Sequence, residues 1–164
     1  MALARERAPD LWPEIMPLLQ AHYREIATFQ DIALDPDVDA YNTAEAAGLL
    51  RCFTARRGGV IVGYAIFLVR TSVHYRQSLQ AVEDVLFVDP RYRGTLIGWR
   101  LVRYAERALA AEGVQVVSHH VKLTHPALGQ LLARLGYMPI ETIYVKRLDR
   151  AVTEEPELGD AHGP

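Results

Sequence analysis

Gly58-Gly59 stands between two apolar runs, and that arrangement limits the fold more than any other feature of the chain. Glycine adopts positive φ without steric cost, which is what a two-residue hairpin turn demands. Leu50 to Arg57 and Val60 to Thr71 are therefore read as neighbouring antiparallel strands. The second is long and apolar, with Val60, Ile61, Val62, Tyr64, Ile66, Phe67, Leu68 and Val69. A third run, Gln80 to Val88, stops at Asp89-Pro90, because proline cannot extend a hydrogen-bonded ladder. These three strands form a meander.

Helical patterns surround the meander. Ala2 to Arg7 reads as a short strand, and Asp10 as the N-cap of a first helix. Ile15, Leu18, Leu19, Tyr23 and Ile26 supply that helix with an apolar stripe, while Pro17 predicts a kink or a later start. Residues 28–42 read as a loop carrying Asp31, Asp35, Asp37 and Asp39, followed by a short helix around Thr43 to Leu49. Thr95 to Ala111 is amphipathic: Ile97, Leu101, Ala105 and Ala108 face one way, and Arg100, Arg103 and Arg107 the other. Gly113 is its expected C′ residue. Val114 to Val121 reads as a strand, Pro126 to Leu135 as a helix closed by Gly136, and Glu141 to Leu148 as a last strand. A meander followed by strand-helix-strand-helix-strand implies an α+β (mixed α/β) sheet with helices on both faces.

The 164 residues suit one domain, spanning 1–150, with 151–164 as a mobile acidic tail rich in Glu, Gly and Pro. A net charge of −2 argues against nucleic-acid binding through a broad basic field. Cys52 has no partner for an internal disulfide and reads as a small buried side chain. The start of the chain lacks a signal-peptide core, and no apolar run approaches a membrane span, so a cytoplasmic location is expected. No metal site is expected.

Chemistry is most visible at residues 88–98, Val-Asp-Pro-Arg-Tyr-Arg-Gly-Thr-Leu-Ile-Gly. A strand ends, the chain turns at Arg93-Gly94, and a helix begins. The first amides of a helix lack internal partners and carry the positive end of its dipole, so they bind phosphate oxygens. Arg91 and Arg93 add charge suited to phosphate.

This segment resembles the signature of the GNAT superfamily of acyl-CoA-dependent N-acyltransferases, Q/R-x-x-G-x-G/A after a strand ending in V-x-P. Arg93 takes the first position, Leu96 stands where the family has its middle glycine, and Gly98 takes the last. Leu135-Gly136-Tyr137 is similar to the family's late Leu-Gly-Phe. The resemblance implies a mostly antiparallel sheet that splays beside the strand before the turn. Acetyl-CoA would lie in the gap as co-substrate, paired with the backbone of Leu86, Phe87 and Val88. Its pyrophosphate would rest on Arg91, Arg93, Gly94, Thr95, Leu96, Ile97 and Gly98. It further implies a small-molecule or peptide amine as acceptor, and homodimers are common in the family. Leu96 keeps its N–H donor but takes up room that glycine would leave. An acyl-CoA-binding regulatory module with weak or lost catalysis is the alternative.

Acyl transfer to an amine requires a base for the ammonium proton and a proton for the departing thiolate. Glu83 and Asp84 are the candidate bases. Simple alternation puts Glu83 on one face with Val85 and Phe87, and Asp84 on the other with Leu86 and Val88, unless a bulge intervenes. Relatives carry an acidic tyrosine where Leu132 stands here, so His120, His125 and Tyr144 are the candidate acids. His119 and His120 alternate, so at most one of the two faces the gap. The four aspartates at 31–39 suit a cationic acceptor.

Overall fold

A computed structural model describes residues 1–149; the tail expected at 151–164 lies outside the described residues. Strands β1 (Ala2–Glu6), β2 (Leu50–Arg57), β3 (Val60–Thr71), β4 (Leu79–Val88) and β5 (Val116–Ser118) form one sheet in the order β1-β2-β3-β4-β5. The first three pairings are antiparallel and the last, β4 with β5, is parallel. Helices α1 (Ala8–Ile26) and α2 (Val38–Ala46) cover one face. Helix α3 (Ile97–Ala111) covers the other, and α4 (Pro126–Arg134) follows β5. The mixed α/β class expected from the sequence is therefore the one observed.

The hairpin turns where the glycines predict, with φ of 59° at Gly58 and 83° at Gly59. Each face of the sheet has its own core. Phe53, Ala65 and Phe67 meet Leu101, Ala105 and Leu109 of α3. Leu50, Tyr64 and Ile66 meet Leu11, Trp12 and Ile15 of α1. Burying each such leucine or isoleucine contributes roughly 2 kcal/mol, which anchors both helices to the central strands.

Several boundaries differ from expectation. Helix α1 begins at Ala8 with Arg7 as N-cap, so Asp10 lies in the first turn, where its charge complements the helix dipole. The helix runs on past Pro13 and Pro17. Pro9, Pro13 and Pro17 recur every four residues along an exposed row. A proline frees the carbonyl four residues earlier, and here that carbonyl belongs to the same solvent-facing row, so it need not be buried unpaired.

Helix α2 starts inside the segment read as loop, because the Asp37 side chain caps it by accepting from the Ala40 N–H at 2.9 Å. Helix α3 starts at Ile97, not Thr95. The Thr95 hydroxyl donates to the Tyr92 carbonyl at 2.6 Å and holds that residue in the turn.

The strand expected over 114–121 shortens to Val116–Ser118, and the strand expected over Glu141 to Leu148 does not form. With three ladder residues in β5, the sheet offers little edge for another strand to extend. Arg147 instead carries that segment across to the loop after α1, pairing with Asp31 at 3.1 Å and lying 5.2 Å from the Phe29 ring.

Candidate active site

Strand β4 is paired along its whole length on one side only. On the β3 side the ladder runs from Thr71↔Leu79 to Gly63↔Val88. On the β5 side it covers Gln80, Ala81 and Val82 and then stops. Past Val82 the ladder ends because β5 itself ends at Ser118, leaving the backbone of residues 83–88 along one side of a fork. The fork is about 15 Å deep by strand rise. Its closed end lies beside Val82 and Ser118, and its open end at the turn into α3.

A bulge sits at the closed end. Ile66 pairs with Val85 and Phe67 with Glu83, so Asp84 is the extra residue. That insertion overturns the alternation expected from the sequence. Glu83 lies on the α3 face, which it shares with Leu86 and Val88, whereas Asp84 lies on the α1–α2 face with Val85 and Phe87. Two consecutive carboxylates thus serve opposite sides of the sheet.

Glu83 is buried and meets His119 Nδ1 at 2.8 Å. His119 follows Ser118 by one step, as Glu83 follows Val82, so this side-chain bond pins the first unpaired step of the fork. The imidazole packs edge-on against Phe67 and Tyr137, and its Nε2 meets no hydrogen-bond partner among the described residues. If Glu83 is ionised, it holds the Nδ1 proton and leaves Nε2 as an acceptor.

Asp84 is exposed and opens onto a hollow of about 430 Å³ between α1, α2 and the loop joining them. Its Oδ2 accepts from the Tyr41 hydroxyl at 2.6 Å. Burial raises the tyrosine's pKa, and the hydrogen bond to Asp84 raises it further, so Tyr41 stays a donor. A larger depression, about 520 Å³, lies at the β3–β4 turn among Tyr75, Arg76, Gln77, Ser78 and Gln115, away from both carboxylates.

At the open end, Gly94 turns with φ of 73°. The first four amides of α3 belong to Leu96, Ile97, Gly98 and Trp99. The Thr95 hydroxyl takes that of Ile97 at 3.3 Å, leaving Leu96, Gly98 and Trp99 as donors without a helical acceptor. The arginines are committed elsewhere. Arg91 pairs with buried Asp89 at 2.6 Å, and its guanidinium holds the Asp89 carboxyl below the usual range. Arg93 forks onto both oxygens of Glu25 from α1, lowering the Glu25 pKa, and donates to the Val88 carbonyl at 2.8 Å. The groups this turn leaves uncommitted are therefore chiefly backbone amides, and the Val88 carbonyl is already used.

The expected acids are scattered. His120 is exposed. His125 caps α4 at the open end, 3.7 Å from Glu25, remote from the bulge. Tyr144 is 92% exposed. The sequence reading missed Tyr41, Glu25 and the His119 pairing. For His119 the signal was the His119-His120 alternation, which needed the strand register to resolve; Tyr41 and Glu25 reach the site only through tertiary packing.

The acetyltransferase (GNAT) family profile matches residues 12–137. No curated protein sequence matches the chain significantly. Among solved structures, a ribosomal-protein-alanine N-acetyltransferase from Brucella melitensis biovar Abortus 2308 superposes with a TM-score of 0.66 at 20% identity, covering 90% of this chain and 99% of that one. An aminoglycoside acetyltransferase from an uncultured soil metagenomic sample, in complex with trehalose, gives 0.70 at 16% identity, covering 89% and 96%. A transcriptional regulator from Bacillus halodurans gives 0.70 at 15% identity, covering 89% and 98%. At these identities the structural likeness speaks for the fold.

Proposed function

Because the chain belongs to the acetyltransferase (GNAT) family, we propose that it transfers an acetyl group from acetyl-CoA to a primary amine by direct attack. The observation that carries this reading is the fork: a strand edge left without a partner strand from Glu83 to Phe87, leading to three amides at the start of α3 that have no helical acceptor. An extended chain ending in a pyrophosphate suits such an edge and such a turn. The donor supplies an activated thioester carbon; this chain's residues do the rest.

Leu86 and Phe87 offer backbone to the extended arm, and Leu96, Gly98 and Trp99 offer amides to the phosphates. Asp84 takes the acceptor's ammonium proton, directly or through one water, since a free amine is required for attack and its ordinary pKa is about 10.4. The amine nitrogen then bonds to the carbonyl carbon, the carbon–sulfur bond breaks with sulfur leaving as thiolate, and the nitrogen loses its second proton to water, which leaves a neutral amide. A thiol of ordinary pKa about 8.5 needs no dedicated acid, and water returns its proton. Glu83, buried against His119, holds the fork's closed end and is a positioning residue. Asp84, not Glu83, is therefore the proposed base.

Calorimetry with acetyl-CoA and a thiol-release assay with a primary amine test this reading. Asp84→Asn is expected to lower kcat by about 100-fold or more while leaving acetyl-CoA affinity intact. Absence of acetyl-CoA binding would sink the proposal. Binding with no turnover of any amine would favour the regulatory alternative.

A further inference from the structure

The hollow in front of Asp84 also restricts what the acceptor can be. Resting on the acetyltransferase reading above, we infer that the acceptor is a primary monoamine on an apolar body, and not a polyamine or an aminoglycoside. Three features of the hollow carry this.

The first is charge. Asp84, Asp35 and Lys122 are the charged residues of its lining, which formally leaves a single negative charge. One ammonium matches that balance. A second cation would meet Lys122, whose Nζ is fixed by donating to Thr28 Oγ1 at 3.0 Å.

The second is the state of the polar groups. The Tyr23 hydroxyl is bound to the Ile32 carbonyl and lies 3.2 Å from that of Gln30. The Tyr41 hydroxyl is given to Asp84, and Thr28 accepts from Lys122. The side-chain hydroxyls of the wall are thus already engaged, while Asp84 keeps Oδ1 for an ammonium. A hydroxyl-rich ring system buried here would lose water from many hydroxyls and gain few side-chain partners beyond the Asp35 and Asp84 carboxylates.

The third is the surface itself. Leu19, Ile32, Leu34 and Val85 form the body of the wall, and the rings of Phe29 and Tyr41 complete it. Arg147 already lies over the Phe29 ring, so the Tyr41 ring is the one left to favour an organic cation, and the aliphatic wall favours a hydrocarbon stem. Tyr23 ties the loop at 29–32 to α1, so this wall stands ready before any acceptor arrives.

A panel of phenethylamine, hexylamine, spermidine, kanamycin and an alanine-led peptide, read by thiol release with acetyl-CoA, tests the inference. The kcat/KM for phenethylamine is expected to exceed those for spermidine and kanamycin by tenfold or more. Lys122→Glu, an exchange at an exposed position, is expected to narrow the gap to spermidine by improving spermidine. Preference for spermidine, kanamycin or the peptide, or an unchanged ratio in the variant, overturns the inference while leaving the acetyltransferase reading intact. Failure to bind acetyl-CoA would instead remove the reading on which it rests. If acetyl-CoA binds and no amine reacts, the melting temperature with CoA present decides: a rise with phenethylamine and none with spermidine supports the inference, and no rise overturns it.

Discussion

Gly98→Ala should raise stability and leave acetyl-CoA binding nearly unchanged. Gly98 is the second residue of α3 and has no positive φ. A Cβ added there would meet Leu131 Cδ2 at 3.5 Å and Val88 Cγ2 at 3.7 Å, both ordinary contact distances. Alanine gains up to about 1 kcal/mol over glycine within a helix, and the lower part of that range applies in a first turn. A gain of about 0.5 kcal/mol corresponds to a rise of roughly 1–2 °C in Tm for a domain of this size. The same methyl would pack between Val88 and Leu131. The family signature admits alanine at this position, so we expect acetyl-CoA affinity to change by less than about threefold, under about 0.7 kcal/mol. Thermal melts with and without acetyl-CoA should therefore shift in parallel. The variant melts roughly 1–2 °C higher in both. A loss of about tenfold or more by calorimetry would show that the methyl meets the ligand, and the match of Gly98 to the last position of the signature would fail. A Tm several degrees lower without ligand would refute the packing argument.

Other consequences can be checked alongside. His119→Ala leaves the Glu83 carboxylate buried without its partner and should cost about 3 kcal/mol in urea unfolding, against about 1 kcal/mol for Glu83→Gln, which keeps a hydrogen-bonding group; equal small costs would show the pair to be solvated. Burial holds the His22 pKa below its usual 6.5, with Arg93 and His125 adding to the effect and Glu25 opposing it. The unfolded chain then binds the extra proton first, so stability is intact above pH 6.5 and declines as pH falls below it; His22→Gln should flatten that decline in melts between about pH 6.5 and 5. Glu6, held by Arg56, adds a further loss that begins as pH falls below its ordinary 4.5. Cys52 is buried and its thiol is pushed up to about 12, so a thiol reagent at neutral pH should label it only after unfolding; rapid labelling of the native protein would contradict its burial.

Features written in local chemistry were legible in the sequence. Gly58-Gly59 placed the hairpin, Asp89-Pro90 the end of β4, and Gly113 the end of α3, because each acts through its own backbone. What depends on a partner was harder to see. The bulge at Asp84 arises from register against β3, and nothing within residues 79–88 announces it, so the two carboxylates were assigned to the wrong neighbours. The proline row of α1 reads as a helix breaker until its exposure is known. Residues 141–148 have strand-like composition, but a strand also needs an edge to join. The turn at 93–98 and the helix start after it were legible in Gly94 and the amphipathic run that follows, while the commitment of Arg93 to Glu25 rests on a contact with α1.

The single extra residue in β4 has an evolutionary corollary. It divides one strand into two surfaces that can change independently: Glu83, Leu86 and Val88 look toward α3, and Asp84, Val85 and Phe87 toward α1 and α2. On the function proposed above, substitutions on the second surface would retarget the acceptor without disturbing the donor's seat. Deleting Asp84 would restore regular pairing, with Glu83 opposite Phe67 and Val85 opposite Ile66, and would strip the second surface of its carboxylate. Drift in specificity should therefore proceed by side-chain replacement in α1, α2 and their loop, with the length of β4 held constant.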